Sequence, residues 1–254
     1  MNALEQFEVD LHAHDYLLFH HGPDVNWRAM PPMVAIYRDL APGDRPPTQW
    51  QFVQRVMFEA ERRDPGALPQ LGVRGRAESV FPSLVRQHHF QVALAVSGLF
   101  DDCYWLPWLD MHGIDLLVTR DSLAVAVALS VDSDKASFWK RIKDRRHPPP
   151  RGLELLQLNA DREEFTIGDF FLHPPRHVQM VAERMDDLEF DYHTDCIPTP
   201  EQARAVFEEA REHGSIRDRA GWLSDGWPLY QALCHDMRLR ARGVEQHPCL
   251  DIAL

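Results

Sequence analysis

The stretch MHGIDLLVTRDSLAVAVALSVD, Met111 to Asp132, decides how this chain is to be read. Two apolar runs, IDLLVT and LAVAVALSVD, flank the polar RDS, which is the pattern of two strands joined by a turn. The second run has no polar alternation through its middle, so it is expected to be buried on both faces, at the centre of a sheet. A single acid, Asp115, stands near the start of the first run. An acid in that place serves either as a cation ligand or as a cap on a strand end.

Working outward, FPSLVRQHHFQVALAVSG predicts a helix with Pro82 in its first turn and Gly98 as its stop. DDCYWLPWLD reads as a strand that Pro107 confines to an edge or a bulge. SDKASFWKRIKDRRH predicts a helix capped by Ser133 and ended by the prolines at 148–150. LELLQLN is a further strand, so the middle of the chain runs helix, three strands, helix, strand. Upstream, TQWQFVQRVMFEAERRD has helical period with Thr48 as N-cap, and Trp50, Phe52, Val53, Val56 and Met57 can share a face. PGALPQLGVRGR reads as a loop. Downstream, DFFLHPPRHVQMVAERMDDL predicts a short apolar segment and a proline-started helix. TPEQARAVFEEAREHG has Thr199, Pro200 and Gly214 in cap, first-turn and stop positions. DGWPLYQALCHDMRLRARG predicts a last helix with a basic end. The expected organisation is a mostly helical segment over 1–74, an α/β core over 75–175, and a helical segment over 176–254.

The bulk composition narrows the function classes. The chain of 254 residues, 44% hydrophobic and 26% charged, suits a soluble globular protein. No apolar run approaches the ~18 residues of a membrane span. The N-terminus lacks a basic segment followed by an apolar core, so no secretory signal and a cytoplasmic setting are expected. Four dispersed cysteines, without a CxxC pair, argue against a zinc ribbon and for a reducing compartment. The net charge of −12 is wrong for a stand-alone DNA binder, which is basic on at least one face. Nucleic-acid contact therefore needs the local basic segment KASFWKRIKDRRH, a cation that screens phosphates, or a protein partner.

The order helix–strand–strand–strand–helix–strand, with Asp115 in HGIDLLV, resembles the core of restriction-endonuclease-like proteins, the PD-(D/E)XK superfamily, over Arg76 to about Phe171. The resemblance implies a mixed sheet flanked by helices, with extra N- and C-terminal helical segments. It also implies a metal-dependent nuclease acting on nucleic-acid phosphodiesters, in DNA defence or a mobile element. Asp115 would then bind Mg²⁺, and Glu78 in RAESVFPS would complete the metal site. A hard cation takes carboxylate oxygens and neutralises charge developing on phosphate. The family's third strand carries an acid-x-Lys, whereas LAVAVALSVD has no lysine and no acid before Asp132. Lys140 or Lys143 from the following helix would fill the lysine role, with Arg141, Arg145 and Arg146 on the phosphate backbone. The alternative implied by the same departure is a catalytically degenerate subunit that binds a protein partner, for which the aromatic CYWLPWL is suited, or positions nucleic acid in a larger complex.

Each of these residues also has a plainer reading. Glu78 can be a first-turn acid facing a helix N-terminus. The basic segment can be the solvated face of an amphipathic helix with Phe138, Trp139 and Ile142 turned inward. Arg86, Gln87, His88 and His89 form a polar group on an otherwise apolar helix. They either point at the hairpin or serve as satisfied core residues. Asp10, His12 and His14 in VDLHAHD resemble the first metal-binding strand of amidohydrolases and PHP-type phosphoesterases. Among 14 histidines such a spacing also arises by chance, and the regular strand–helix alternation of a barrel is missing.

Overall fold

The computed structural model describes residues 1–14, 16, 23, 25–26, 29–41, 43–105, 114–120, 123–131, 154–161 and 163–191. They form five helices, α1 (Ala3–His12), α2 (Met33–Leu40), α3 (Gln49–Arg63), α4 (Gln70–Ser97) and α5 (Pro175–Asp191). Six strands accompany them: β1 (Asp102–Tyr104), β2 (Leu116–Arg120), β3 (Leu123–Val131), β4 (Glu154–Ala160), β5 (Thr166–Ile167) and β6 (Phe170–Phe171). The contacts divide the chain into two units, Met1–Val96 with Asp161–Pro174, and Ser97–Ala160 with Pro175–Leu254. Among the described residues no helix is long and apolar enough to cross a membrane.

The second unit holds the quoted hairpin. Its sheet runs β1-β2-β3-β4, with β1/β2 and β2/β3 antiparallel and β3/β4 parallel. The hairpin register pairs Leu116 with Val127 and Arg120 with Leu123. β3 is central, as its unbroken apolar run predicts, and Val125, Ala126, Val127 and Ala128 are all buried. Consecutive burial means that both faces of the strand are covered. β1 is a three-residue edge strand that ends at Tyr104, before Pro107. α5 packs on β3 and β4 through Val178, Val181, Ala182 and Met185, and an Arg120–Asp186 ion pair ties the end of β2 to it. A parallel pair needs a crossover connection. Here that connection is residues 132–153, which lie outside the described residues, as does everything after Asp191.

In the first unit, α4 is the central element. Polar and apolar side chains alike are buried along it, and from Leu84 to Leu94 it has no solvent face of the ordinary amphipathic kind. Around it lie Phe7 and Leu11 of α1, Tyr37 of α2, Phe52 and Val56 of α3, and Phe170 of the short β5–β6 hairpin. That hairpin turns on Gly168, at φ +56°, a conformation suited to glycine.

Two expectations about α4 are corrected. LGVRGR is helix, not loop, and Pro82 lies in the interior of the helix rather than in its first turn. A proline there removes one backbone bond and works against the helix. Packing overrides it: Ala77, Glu78 and Phe81 before it, and Leu84 and Val85 after it, are buried. Gly72 is in the helix because its backbone is in close contact with another segment. A Cβ there would sit 2.4 Å from the Pro23 carbonyl oxygen and 2.4 Å from Val25 Cγ2. Gly98, at φ +67°, ends the helix as expected. In α3 the Thr48 cap is present as a full capping box with Gln51. Trp50 is not on the inner face: it is 71% exposed, whereas Phe52, Val53 and Val56 are buried.

Candidate functional site

Asp115 precedes β2 and is buried. Its backbone N–H donates to the Val127 carbonyl at 2.9 Å, which extends the hairpin by one residue beyond the regular ladder. Its side chain continues that extension. Leu129 N–H donates to Asp115 Oδ2 at 2.6 Å, so the carboxylate stands where a longer β2 would have placed a backbone acceptor. The bond is charge-assisted and fixes the side-chain orientation. Asp115 thus sits at the end of the sheet where β3 runs out at Val131, with Asp132 next in the chain.

Glu78 lies in α4, in the first unit, and is 3% exposed. Oε1 accepts from Arg74 Nε at 2.8 Å, one helical turn back. Oε2 is buried and has no hydrogen-bond partner among the described residues. Glu78 is therefore an interior helix residue and not a first-turn acid. Tyr16 is near enough to feel its charge. Burial first, then Glu78 and Asp169, push the Tyr16 hydroxyl up to about 12, and Arg86 opposes them. Nothing in the sequence around Tyr16 signals this neighbourhood, because it is assembled from α4, the segment after α1 and the β5–β6 turn.

The four polar residues of the α4 centre are core residues. Arg86 Nε donates to the Phe171 carbonyl at 2.8 Å. His88 Nδ1 lies 3.4 Å from the Tyr37 hydroxyl, and Phe7 meets both imidazoles edge-on. His89 Nε2 is 3.1 Å from Glu8 Oε1. Burial pulls the His88 pKa down to about 4, against a backbone hydrogen bond to Gly43, with His89 and Arg38 adding to the depression. Gln87 is likewise buried.

Asp10 and His12 belong to α1, so the strand geometry that would aim Asp10, His12 and His14 at one metal is replaced by a helical one. Asp10 instead takes a two-pronged ion pair from Arg45, Nε to Oδ2 at 2.8 Å and Nη2 to Oδ1 at 3.0 Å. That pair holds its carboxyl below the usual range.

Among the described residues no three His, Cys, Asp or Glu side chains come together as a metal-binding group. Asp115 offers the hard oxygen a divalent cation requires, already oriented by a backbone N–H, and in that respect it fits such an ion. Lys140, Arg141, Lys143, Arg145 and Arg146 lie outside the described residues. No known protein family, curated protein or solved structure matches the chain.

Proposed function

We propose that the second unit is a restriction-endonuclease-like module acting on nucleic-acid phosphodiesters, with Asp115 as a Mg²⁺ ligand. The reading rests on one observation: a buried carboxylate, held by the Leu129 N–H, sits at the start of β2 beside the end of central β3. The strand order supports it, since an antiparallel meander followed by a parallel fourth strand is the arrangement expected of such a core. Preorganised hydrogen bonding of a carboxylate is what a metal ligand needs to keep its geometry. A divalent cation there would neutralise phosphate charge and lower the pKa of a bound water. Lys140 or Lys143 would stabilise charge in the transition state, and Arg141, Arg145 and Arg146 would contact the backbone. Glu78 is left out of the proposed set, because Arg74 engages one of its oxygens and it belongs to the other unit.

A second reading has a specific observation in its favour. The Leu129 N–H bond gives Asp115 a structural job that accounts for its burial without any metal. On that reading the module is a catalytically degenerate subunit that binds a protein partner or positions nucleic acid.

The experiment that separates the two is cleavage of plasmid, single-stranded DNA and RNA with Mg²⁺ or Mn²⁺, comparing wild type, Asp115→Asn and Asp115→Ala. Asparagine keeps an acceptor for Leu129 N–H and loses the charge. Metal-dependent cleavage that disappears in a well-folded Asp115→Asn protein supports the nuclease. Cleavage retained in Asp115→Asn removes Asp115 from the site. No cleavage by wild type on any substrate, with no Mn²⁺ binding, leaves the degenerate module.

A further inference from the structure

α3 carries a buried stripe with an exposed edge. Phe52, Val53, Val56 and Ala60 are buried against the first unit. Trp50, Met57 and Glu61 line up at helical spacing along one edge of that buried stripe, with Phe58 further round the helix. Trp50 is 71% exposed and Phe58 59%, and Leu71 in the first turn of α4 is 63% exposed. They are the three most exposed large apolar side chains in the helices of this unit. Exposed large apolar side chains of this kind are a feature of interaction surfaces.

Beside them lies a shallow cleft with an apolar floor of Met57, Ala60, Leu68 and Val73. The charged residues lining it are Glu61 and Asp64, both acidic. Neither is neutralised. Glu61 receives only a long bond, 3.4 Å, from Gly66 N–H, and the Asp64 carboxylate has no hydrogen-bond or ion-pair partner among the described residues. The contrast with Glu59 on the same helix is sharp: Arg55 and Arg62 both pair with it, at 3.2 Å and 2.8 Å. Arg55 and Arg62 are thus engaged by Glu59, and Arg63 donates to the Met30 carbonyl at 3.4 Å, so none of the α3 arginines is paired with Glu61 or Asp64 among the described residues.

We propose that this face docks a segment of a partner protein in which a lysine or arginine stands between apolar residues. The aliphatic stem of the cationic side chain would lie on Met57, Leu68 and Val73, with its charged head at Glu61 and Asp64. The flanking apolar residues would cover Trp50, Phe58 and Leu71. The net charge of −12 would favour encounter with such a segment. The surface belongs to the first unit and does not depend on whether Asp115 holds a cation.

The test uses the full chain and a fluorescently labelled, amphipathic helical peptide of leucine and lysine, titrated by anisotropy. An oligolysine of equal charge and a leucine–glutamate peptide are the comparisons. The expected result is saturable binding of the leucine–lysine peptide, weaker by about tenfold or more in Glu61→Lys with Asp64→Lys, and again in Trp50→Ala with Phe58→Ala. These positions are exposed, so the variants keep the wild-type melting profile. Oligolysine is expected to bind much more weakly, and the glutamate peptide not at all. The proposal is overturned if the leucine–lysine peptide does not bind, if either variant binds it as wild type does, or if oligolysine binds equally well.

Discussion

At the scale of single residues, the chain uses buried polar groups as fixed structural parts, and two of them give measurable consequences. Leu129 N–H is paired with Asp115 Oδ2 at 2.6 Å. Removing the acceptor leaves a partly buried donor unpaired, which costs about 1–3 kcal/mol. Asp115→Ala is therefore expected to lower stability by that amount in urea unfolding, whereas Asp115→Asn, which still accepts, loses less. Equal losses in both variants would mean that the charge, not the hydrogen bond, holds the end of the hairpin. His88 acts through pH. Its folded-state pKa is depressed from 6.5 to about 4 by burial, so it stays neutral in the folded protein while the unfolded chain takes up a proton. Its contribution is full above pH 6.5 and is lost as pH falls toward 4. Over that window the loss amounts to about 3 kcal/mol at most. Stability measured between pH 7 and pH 4 should fall less steeply in His88→Asn than in wild type. Parallel curves would place the acid sensitivity elsewhere.

The elements show where sequence patterns carry information and where packing overrides them. The hairpin was legible, because apolar runs around a polar turn have few alternative arrangements, and β3 is central as its composition requires. The Thr48 capping box and the Gly98 stop were legible because both are local hydrogen-bond or φ requirements. α4 was not. Its start contains two glycines and its middle a proline, which locally argue for a loop and a new beginning. The helix persists because Gly72, Val73, Ala77, Glu78 and Phe81 are buried along this stretch, a fact that no window of sequence contains. Trp50 was read onto one face with Phe52, Val53, Val56 and Met57; it is one turn from Val53 yet 71% exposed, so helical spacing alone does not separate the covered part of a face from its rim. Gly72 tests the packing account of α4. In an open helix Gly→Ala stabilises by about 1 kcal/mol. Here the new methyl group meets the Pro23 carbonyl and Val25 at 2.4 Å, so Gly72→Ala is expected to destabilise by about 1–3 kcal/mol in thermal or urea unfolding. A stabilised variant would show that α4 does not rest on that segment.

For the whole molecule, the chain passes from the first unit to the second and back, so that Asp161–Pro174 returns to pack with α1 and α4. Such a return cannot be read from local pattern, and neither can the passage between units at Val96–Ser97, which places Glu78 and Asp115 in different units. Of the candidate site, the position of Asp115 at the start of a strand was legible from local pattern, whereas the surroundings of Glu78 depend on residues brought from 62 positions before it and 91 after it, Tyr16 and Asp169. Charge is a property of this scale as well. With a net charge of −12, a phosphate polymer is repelled by most of the molecule, and attraction has to come from a local concentration of cations. The basic segment containing Lys140, Arg141, Lys143, Arg145 and Arg146 is the densest in the chain. Replacing these five with glutamine takes the net charge from −12 to −17. If the proposed nucleic-acid role is correct, that change abolishes DNA and RNA binding in a filter or anisotropy assay. The wild type should lose affinity steeply with salt, since each phosphate contact releases counterions. Binding that survives the five substitutions with an unchanged salt slope would assign the contact to other residues. In that case the basic segment makes no phosphate contact.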